Sequence, residues 1–406
     1  MSDHVKVGAR GVQAQRAERA SELRVLVILS ALMSFASLST DMYLPAFPAM
    51  QHALGGATGD IELTLSSFLA GFAAGQLLWG PVGDRYGRRL PVALGLVLFI
   101  GGSIGCALST TVVQLITWRV VEALGACAGP VLARAMARDL YAGERAAQML
   151  STLILLMMAA PLLGPILGGQ VLAFSSWRGI FWMLAAVGVL ALAGLVLLPE
   201  TLPPAKREHA PLRAVARDYL SLMRRPKLMG FALASAFFYA GMYVFIAASP
   251  FVYIDFYGVP ASRYGLLFGA NVVGMVATNF LNTRLVVRMG SERLFLMGTV
   301  VIAITGVALF VNTTTGAFGL FGVVVPMFCF AAMNGLVVAN SVAGALSEAT
   351  NRLGAASSLV GAMQYGSGVA SAALVGWLSD GTPRSMGALV CAAGVAALIT
   401  GRLVKR

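Results

Sequence analysis

Apolar runs about as long as a bilayer is thick alternate with short polar connections along nearly all of the 406 residues. A hydrocarbon core about 30 Å thick takes roughly 20 residues of helix per crossing. By that measure the pattern predicts spans at 25–47, 61–83, 90–108, 111–134, 147–173, 178–199, 228–252, 264–284, 292–312, 316–343, 353–378 and 385–403. The longest polar interruption, ETLPPAKREHAPLRAVARDYLSLMRRPK at 200–227, follows the sixth run. The chain therefore divides into a polar tail (1–24), a six-helix half (25–199), a linker (200–227) and a second six-helix half (228–403). The fold class is an all-α membrane protein of twelve transmembrane helices.

Composition agrees. The chain is 58% hydrophobic and 11% charged with a mean hydropathy of +0.81, against about 25% charged residues in soluble domains. The formal charge of +12 would suggest nucleic acid as a partner in a soluble protein, but its distribution implies a membrane instead. With the spans above, 25 of the 29 Lys and Arg fall on one side, Arg178, Arg263 and Arg384 fall on the other, and Arg119 lies within a span. Positive charge marks the cytoplasmic face, so both termini are expected there. The basic first 24 residues lead into a full-length span, not into the short apolar stretch and small-residue cleavage site of a signal peptide. They are expected to remain as a cytosolic tail.

The four cysteines, Cys106, Cys127, Cys329 and Cys391, stand far apart in apolar runs without CxxC or a neighbouring His, as small core residues do. Among the 46 glycines, pairs such as Gly71/Gly75, Gly125/Gly129 and Gly265/Gly269 permit close helix packing. Residues 101–105 (GGSIG) and 366–371 (GSGVAS) resemble enzyme motifs but fall within apolar runs, without the strand–turn–helix such motifs need. His4, His52 and His209 lie in tails or loops, and no GxxxxGK[ST] sequence exists. The chain is expected not to be an enzyme, to need neither cofactor nor metal, and not to use ATP directly.

Charges inside a span are costly and mark function by default. At 1.5 Å per residue, Asp41, Arg119 and Glu122 fall in the outer half to the middle of the bilayer, deep enough to face a cavity. A carboxylate in low dielectric is unfavourable as the anion, and a nearby cation offsets that. Asp41 would thus suit a proton carrier, or else would cap an unwound helix end before Pro45 and Pro48. Arg119 keeps its proton and must pair or line water. Glu122, one turn on, is the natural partner, giving either a polar strut or a group for protons or substrate.

Residues 80–92, GPVGDRYGRRLPV, match the loop signature GxLxDRxGRR between helices two and three of the major facilitator superfamily, through Gly83, Asp84, Arg85, Gly87, Arg88 and Arg89. The resemblance implies a cytoplasmic latch, with Asp84 meeting Arg134 or Arg138 and a helix N-terminus of the other half to hold an outward-open state. ITWRVVEALGACAG (116–129) is similar to the family's RxxQ/G motif, with Glu122 where Gln is usual. APLLGPILGG (160–169) is similar to the antiporter motif GPxxGG, through Gly164, Pro165, Gly168 and Gly169. STDMYLPAFP (39–48) resembles the Bcr/CflA branch of drug:proton antiporters, while RLVVRMGSER carries Val287 where a second latch would have its aspartate, so that latch is expected to be lost.

For this family the resemblance implies two halves that rock about a central site, as in transporters with parallel repeats. The lining residues would include Tyr43, Tyr239, Tyr243, Phe245, Asn334, Asn340, Gln364 and Tyr365. Proton coupling would fall to Asp41, Arg119 and Glu122. It implies a monomeric drug:proton antiporter of the bacterial inner membrane, with protons as coupling ion and small amphipathic substrates of the chloramphenicol or bicyclomycin type. A carrier dedicated to one nucleoside, sugar or amino acid is the alternative.

Overall fold

The computed structural model describes residues 2–55, 58–141, 143–157, 159–207, 220–349 and 353–405, and these form helices joined by short connections. In the first half these are α1 (Ser2–Asp41), α2 (Phe47–Leu54), α3 (Thr58–Tyr86), α4 (Arg89–Leu108), α5 (Val112–Leu140), α6 (Gly143–Met157), α7 (Ala159–Phe174) and α8 (Trp177–Leu195). The second half comprises α9 (Pro226–Pro250), α10 (Ala261–Met289), α11 (Ser291–Thr315), α12 (Phe321–Ala332), α13 (Asn334–Ser347), α14 (Leu353–Leu378) and α15 (Arg384–Gly401). Ten stretches among the described residues are long and apolar enough to cross a membrane. The pair α6–α7 and the helix α14, which Gly, Ser and Gln364 dilute, complete twelve crossings in two sets of six.

Among the described residues three predicted spans are interrupted, two of them at a proline of their own. Pro45 has no N–H for the carbonyl of Asp41, so α1 stops at Asp41, and the chain passes through a 3-10 turn (Leu44–Ala46) into α2. α9 ends at Pro250 and continues as a π-helical segment, Phe251–Phe256. The tenth crossing bends at Met333, between α12 and α13, where the Thr278 hydroxyl donates to the Ala332 carbonyl. The predicted polar tail also differs: α1 begins at Ser2.

The same helix pairings recur in both halves. α4 packs on α8 as α11 packs on α15, and α1 packs on α5 as α9 packs on α13. The halves meet through the symmetric pairs α3–α14 and α7–α10. Apolar side chains exposed around the outside, such as Leu94, Val97, Leu190, Ile304 and Phe321, form the lipid-facing surface. Helices in lipid gain no hydrophobic drive from meeting, so close packing must hold them. A Cβ on Gly59 would stand 2.0 Å from the Gly376 carbonyl oxygen, and one on Gly265 would stand 2.7 Å from the Ile166 nitrogen. These cross-half contacts lie toward the end opposite the basic loops.

Candidate functional site

Asp41 is buried where α1 unwinds, beside the proline–glycine run of α7. A Cβ on Gly164 would stand 3.0 Å from the Asp41 Cβ, and one on Gly168 only 1.7 Å from the Met42 oxygen. The run thus brings α7 against the broken end of α1, and Gly169 carries the contact to Ala261 of α10. Thr40 donates to the Asp41 carboxylate at 3.1 Å, and among the described residues no cation pairs with it. Tyr243 and Tyr264 lie within its electrostatic reach.

Arg119 and Glu122 are fully buried and form an ion pair of 2.7 Å. Of the two roles open to them from the sequence, this arrangement is that of the polar strut. Arg119 donates to the Ser39 carbonyl at 3.0 Å and lies over the rings of Tyr43 (4.1 Å) and Phe68 (4.2 Å). Glu122 accepts from Ser103 at 3.0 Å and Cys106 at 3.7 Å. The pair is a strut that ties α1, α3, α4 and α5 together within the first half.

Of the eight predicted lining residues, five come together. Tyr239, Tyr243 and Tyr365 form a triangle with ring centroids 6.1–6.4 Å apart. Phe72 of the first half reaches Tyr365 at 5.1 Å. Asn334 stands beside Tyr239, and Gln364 donates to Ser235 at 3.3 Å. The other three are elsewhere. Tyr43 is sealed under Arg119, Phe245 stacks on Phe268 at 5.8 Å inside the second half, and Asn340 donates to Asn282 at 2.7 Å between α13 and α10. Each is taken up by packing within its own half.

The latch also differs in its partners. Asp84 pairs with Arg88 at 2.6 Å, and Arg88 bridges to Asp139 at 2.9 Å, so neither Arg134 nor Arg138 is the partner here. Gly87 turns the chain with φ +92, a conformation that favours glycine; a Cβ there would stand 2.7 Å from the Glu200 carboxylate. Glu200 accepts from the N–H groups of Arg88 (2.8 Å), Arg89 (3.1 Å) and Leu202 (3.0 Å). Burial opposes its charge, yet these N–H groups and that of Thr201 hold its carboxyl below the ordinary glutamate value. Arg85 lies over Tyr86, and the Gly83 backbone abuts Leu132. Arg138 is exposed. Arg134 is exposed too, donates to the Pro130 carbonyl at 2.7 Å and lies within electrostatic reach of Tyr365.

In the second half the position of the missing aspartate, Val287, is 86% exposed. Lys227 instead links Glu292 (3.6 Å) and Glu348 (3.4 Å). Sequence reasoning missed Glu62, Phe72, Asp139 and Glu200. Asp139 and Glu200 gave a weak signal, being acidic residues on the basic side.

This fold and this sequence define a membrane transporter. The Major Facilitator Superfamily model matches residues 29–373, and the chain belongs to that family. It is 32% identical over 363 residues to a bicyclomycin resistance protein homolog of Haemophilus influenzae, covering 89% of this chain and 90% of that one. It is also 32% identical over 340 residues to a chloramphenicol resistance protein of Pseudomonas aeruginosa, covering 82% and 77%. Among solved structures, a nucleoside transporter superposes with a TM-score of 0.77 at 13% identity, covering 95% of this chain and 99% of that one. A D-xylose–proton symporter gives 0.75 at 16%, covering 92% and 97%. At these identities the structures speak for the fold alone.

Proposed function

We propose that this transporter exports small amphipathic molecules across the bacterial inner membrane, both termini cytoplasmic, in exchange for protons and by alternating access. The observation that carries the reading is the cluster of Tyr239, Tyr243 and Tyr365, which Phe72 completes from the other half. Aromatic faces with a few amides beside them suit compounds of mixed polarity and little fixed geometry. Asp41 toward one end and Arg134 toward the other frame that cluster, so the site offers an acid for the proton and a cation on the basic side. The relatives named for bicyclomycin and chloramphenicol resistance favour uncharged antibiotics of that kind.

In the cycle we propose, Asp41 takes a proton when its end of the molecule opens and gives it up when the other end opens and substrate enters. Rocking of the halves moves the cluster from face to face. Each proton moving inward contributes about 2.3 kcal/mol per 100 mV, plus the pH term. Because the site lies between two halves of one chain, the reading takes a single chain as the working unit.

The test is substrate-induced proton release in everted vesicles, with chloramphenicol-like, bicyclic, fluoroquinolone and cationic-dye compounds, for wild type and Asp41→Asn. Release by several compounds in wild type and none in the variant is the expected result. Transport of a single metabolite, unaffected at Asp41, would replace this reading with that of a dedicated carrier.

A further inference from the structure

Near the start of α3, Glu62 crosses from one half to the other. It is 1% exposed, and its Oε2 has no hydrogen-bond partner. Its Cβ lies 3.5 Å from where a Cβ on Gly376 of α14 would stand. Around it is a small cavity lined by Phe251 and Val252 after α9, by Ser379 and Thr382 between α14 and α15, and by Ser385 at the start of α15. All five belong to the second half. One turn along, Ser66 donates to the Val369 carbonyl at 3.4 Å, so the stripe that carries Glu62 is the seam itself.

Among the described residues no cation pairs with it. On the elements packed there, Asp60 is two residues earlier on α3, Asp255 faces His52, and the carboxylate of Asp380 accepts from the Thr382 N–H and hydroxyl with Arg384 nearby. Tyr253 lies on the same segment as Phe251, and Tyr257 directly follows that segment. None of these forms an ion pair with Glu62.

We infer that Glu62 is a second proton-binding site, one that gates the end of the molecule opposite the basic loops. An ionised carboxylate buried without a partner costs several kcal/mol, so the closed seam takes the neutral acid, whose single proton can turn to the cavity hydroxyls. When the halves part, water reaches the carboxyl, the proton leaves and the anion resists reclosure. Each closure at this end therefore takes up one proton at Glu62, separately from Asp41, which packs against α7. The site deepens the antiport reading, because proton uptake from outside would then drive closure, but its gating rests on the seam geometry alone.

The experiment is a distance measurement between spin labels at Leu108 and Phe318, exposed positions toward that end on opposite halves. The four native cysteines are replaced by alanine and the protein is reconstituted in lipid, from about pH 5 to about pH 9. Wild type and Asp41→Asn are expected to shift to longer distances as pH rises. Glu62→Gln is expected to stay short throughout, and Glu62→Asp to regain the shift, which a purely structural role would not give. A pH shift that survives in Glu62→Gln, or one absent from wild type, overturns the inference. Drug-driven proton release in the same liposomes is read separately, and its absence alongside an intact Glu62-dependent shift would sink only the antiport reading.

Discussion

The buried charges divide by partnership. Arg119 and Glu122 neutralise each other, though Arg119 Nε has no hydrogen-bond partner among the described residues, and the rings of Tyr43 and Phe68 add cation–π attraction of about 2 kcal/mol to a desolvated guanidinium. Removing one partner leaves the other charge stranded, so Glu122→Ala is expected to cost about 3–5 kcal/mol. Glu122→Gln keeps an acceptor for Arg119 and is expected to cost far less. Thermal unfolding in detergent reads the difference. On the basic side Glu200 acts through its ionised form. Since its folded value lies below the ordinary 4.5, its contribution is fully present above 4.5 and is lost as pH falls through the lower folded value. Acidification below that point should lower the melting temperature of wild type by a component that Glu200→Gln lacks. The i, i+3 spacing made the Arg119–Glu122 pair legible in the sequence, whereas its enclosure followed from Tyr43 in the break after α1 and Phe68 of α3, residues distant in the chain.

Among the helices, backbone contact decides the seam. Gly59 and Gly376 meet so closely that Gly59→Ala would place its Cβ 2.0 Å from a carbonyl oxygen, which has no flexible end to yield. The substitution should lengthen the Leu108–Phe318 label distance at every pH, whereas Gly101→Ala, with nothing within 4 Å, should leave it unchanged. The same reasoning covers the α7 motif. Its glycines were legible as a packing device, and the structure assigns them specific neighbours: Gly164 and Gly168 to the broken end of α1, Gly169 to α10. The break itself was foreshadowed by Pro45 and Pro48, and the bend at Met333 was not, because a hydroxyl from α10 is part of it.

On the scale of the whole molecule, the pairs α3–α14 and α7–α10 join two halves of like internal packing. The aromatic cluster straddles that joint, so substrate contact and closure are linked through the same helices. Tyr365→Ala removes the ring that touches Phe72 across the joint. At about 0.5–1.5 kcal/mol per aromatic pair, it should weaken apparent affinity for aromatic substrates about 2- to 12-fold. Competition binding in the reconstituted protein would measure that, with non-aromatic substrates less affected. An equal loss for every compound would mean that the ring serves packing only.

Hydropathy and charge are properties of short stretches of chain. They were enough to predict the apolar spans and to gather the basic residues into alternate connections, while the likeness of short motifs, also local, pointed to the superfamily. Which polar group meets which is another matter, because the deciding neighbours lie far away in the chain; Ser66 and Val369 are 303 residues apart. Local pattern therefore left Tyr43 and Tyr239 looking alike, and it took the tertiary structure to seal one inside a half and open the other to the joint. It did the same for the acids: Glu122 received an arginine, Asp84 received Arg88 through the turn at Gly87, and Glu62 came to rest against a bare glycine, its Oε2 without a hydrogen-bond partner among the described residues.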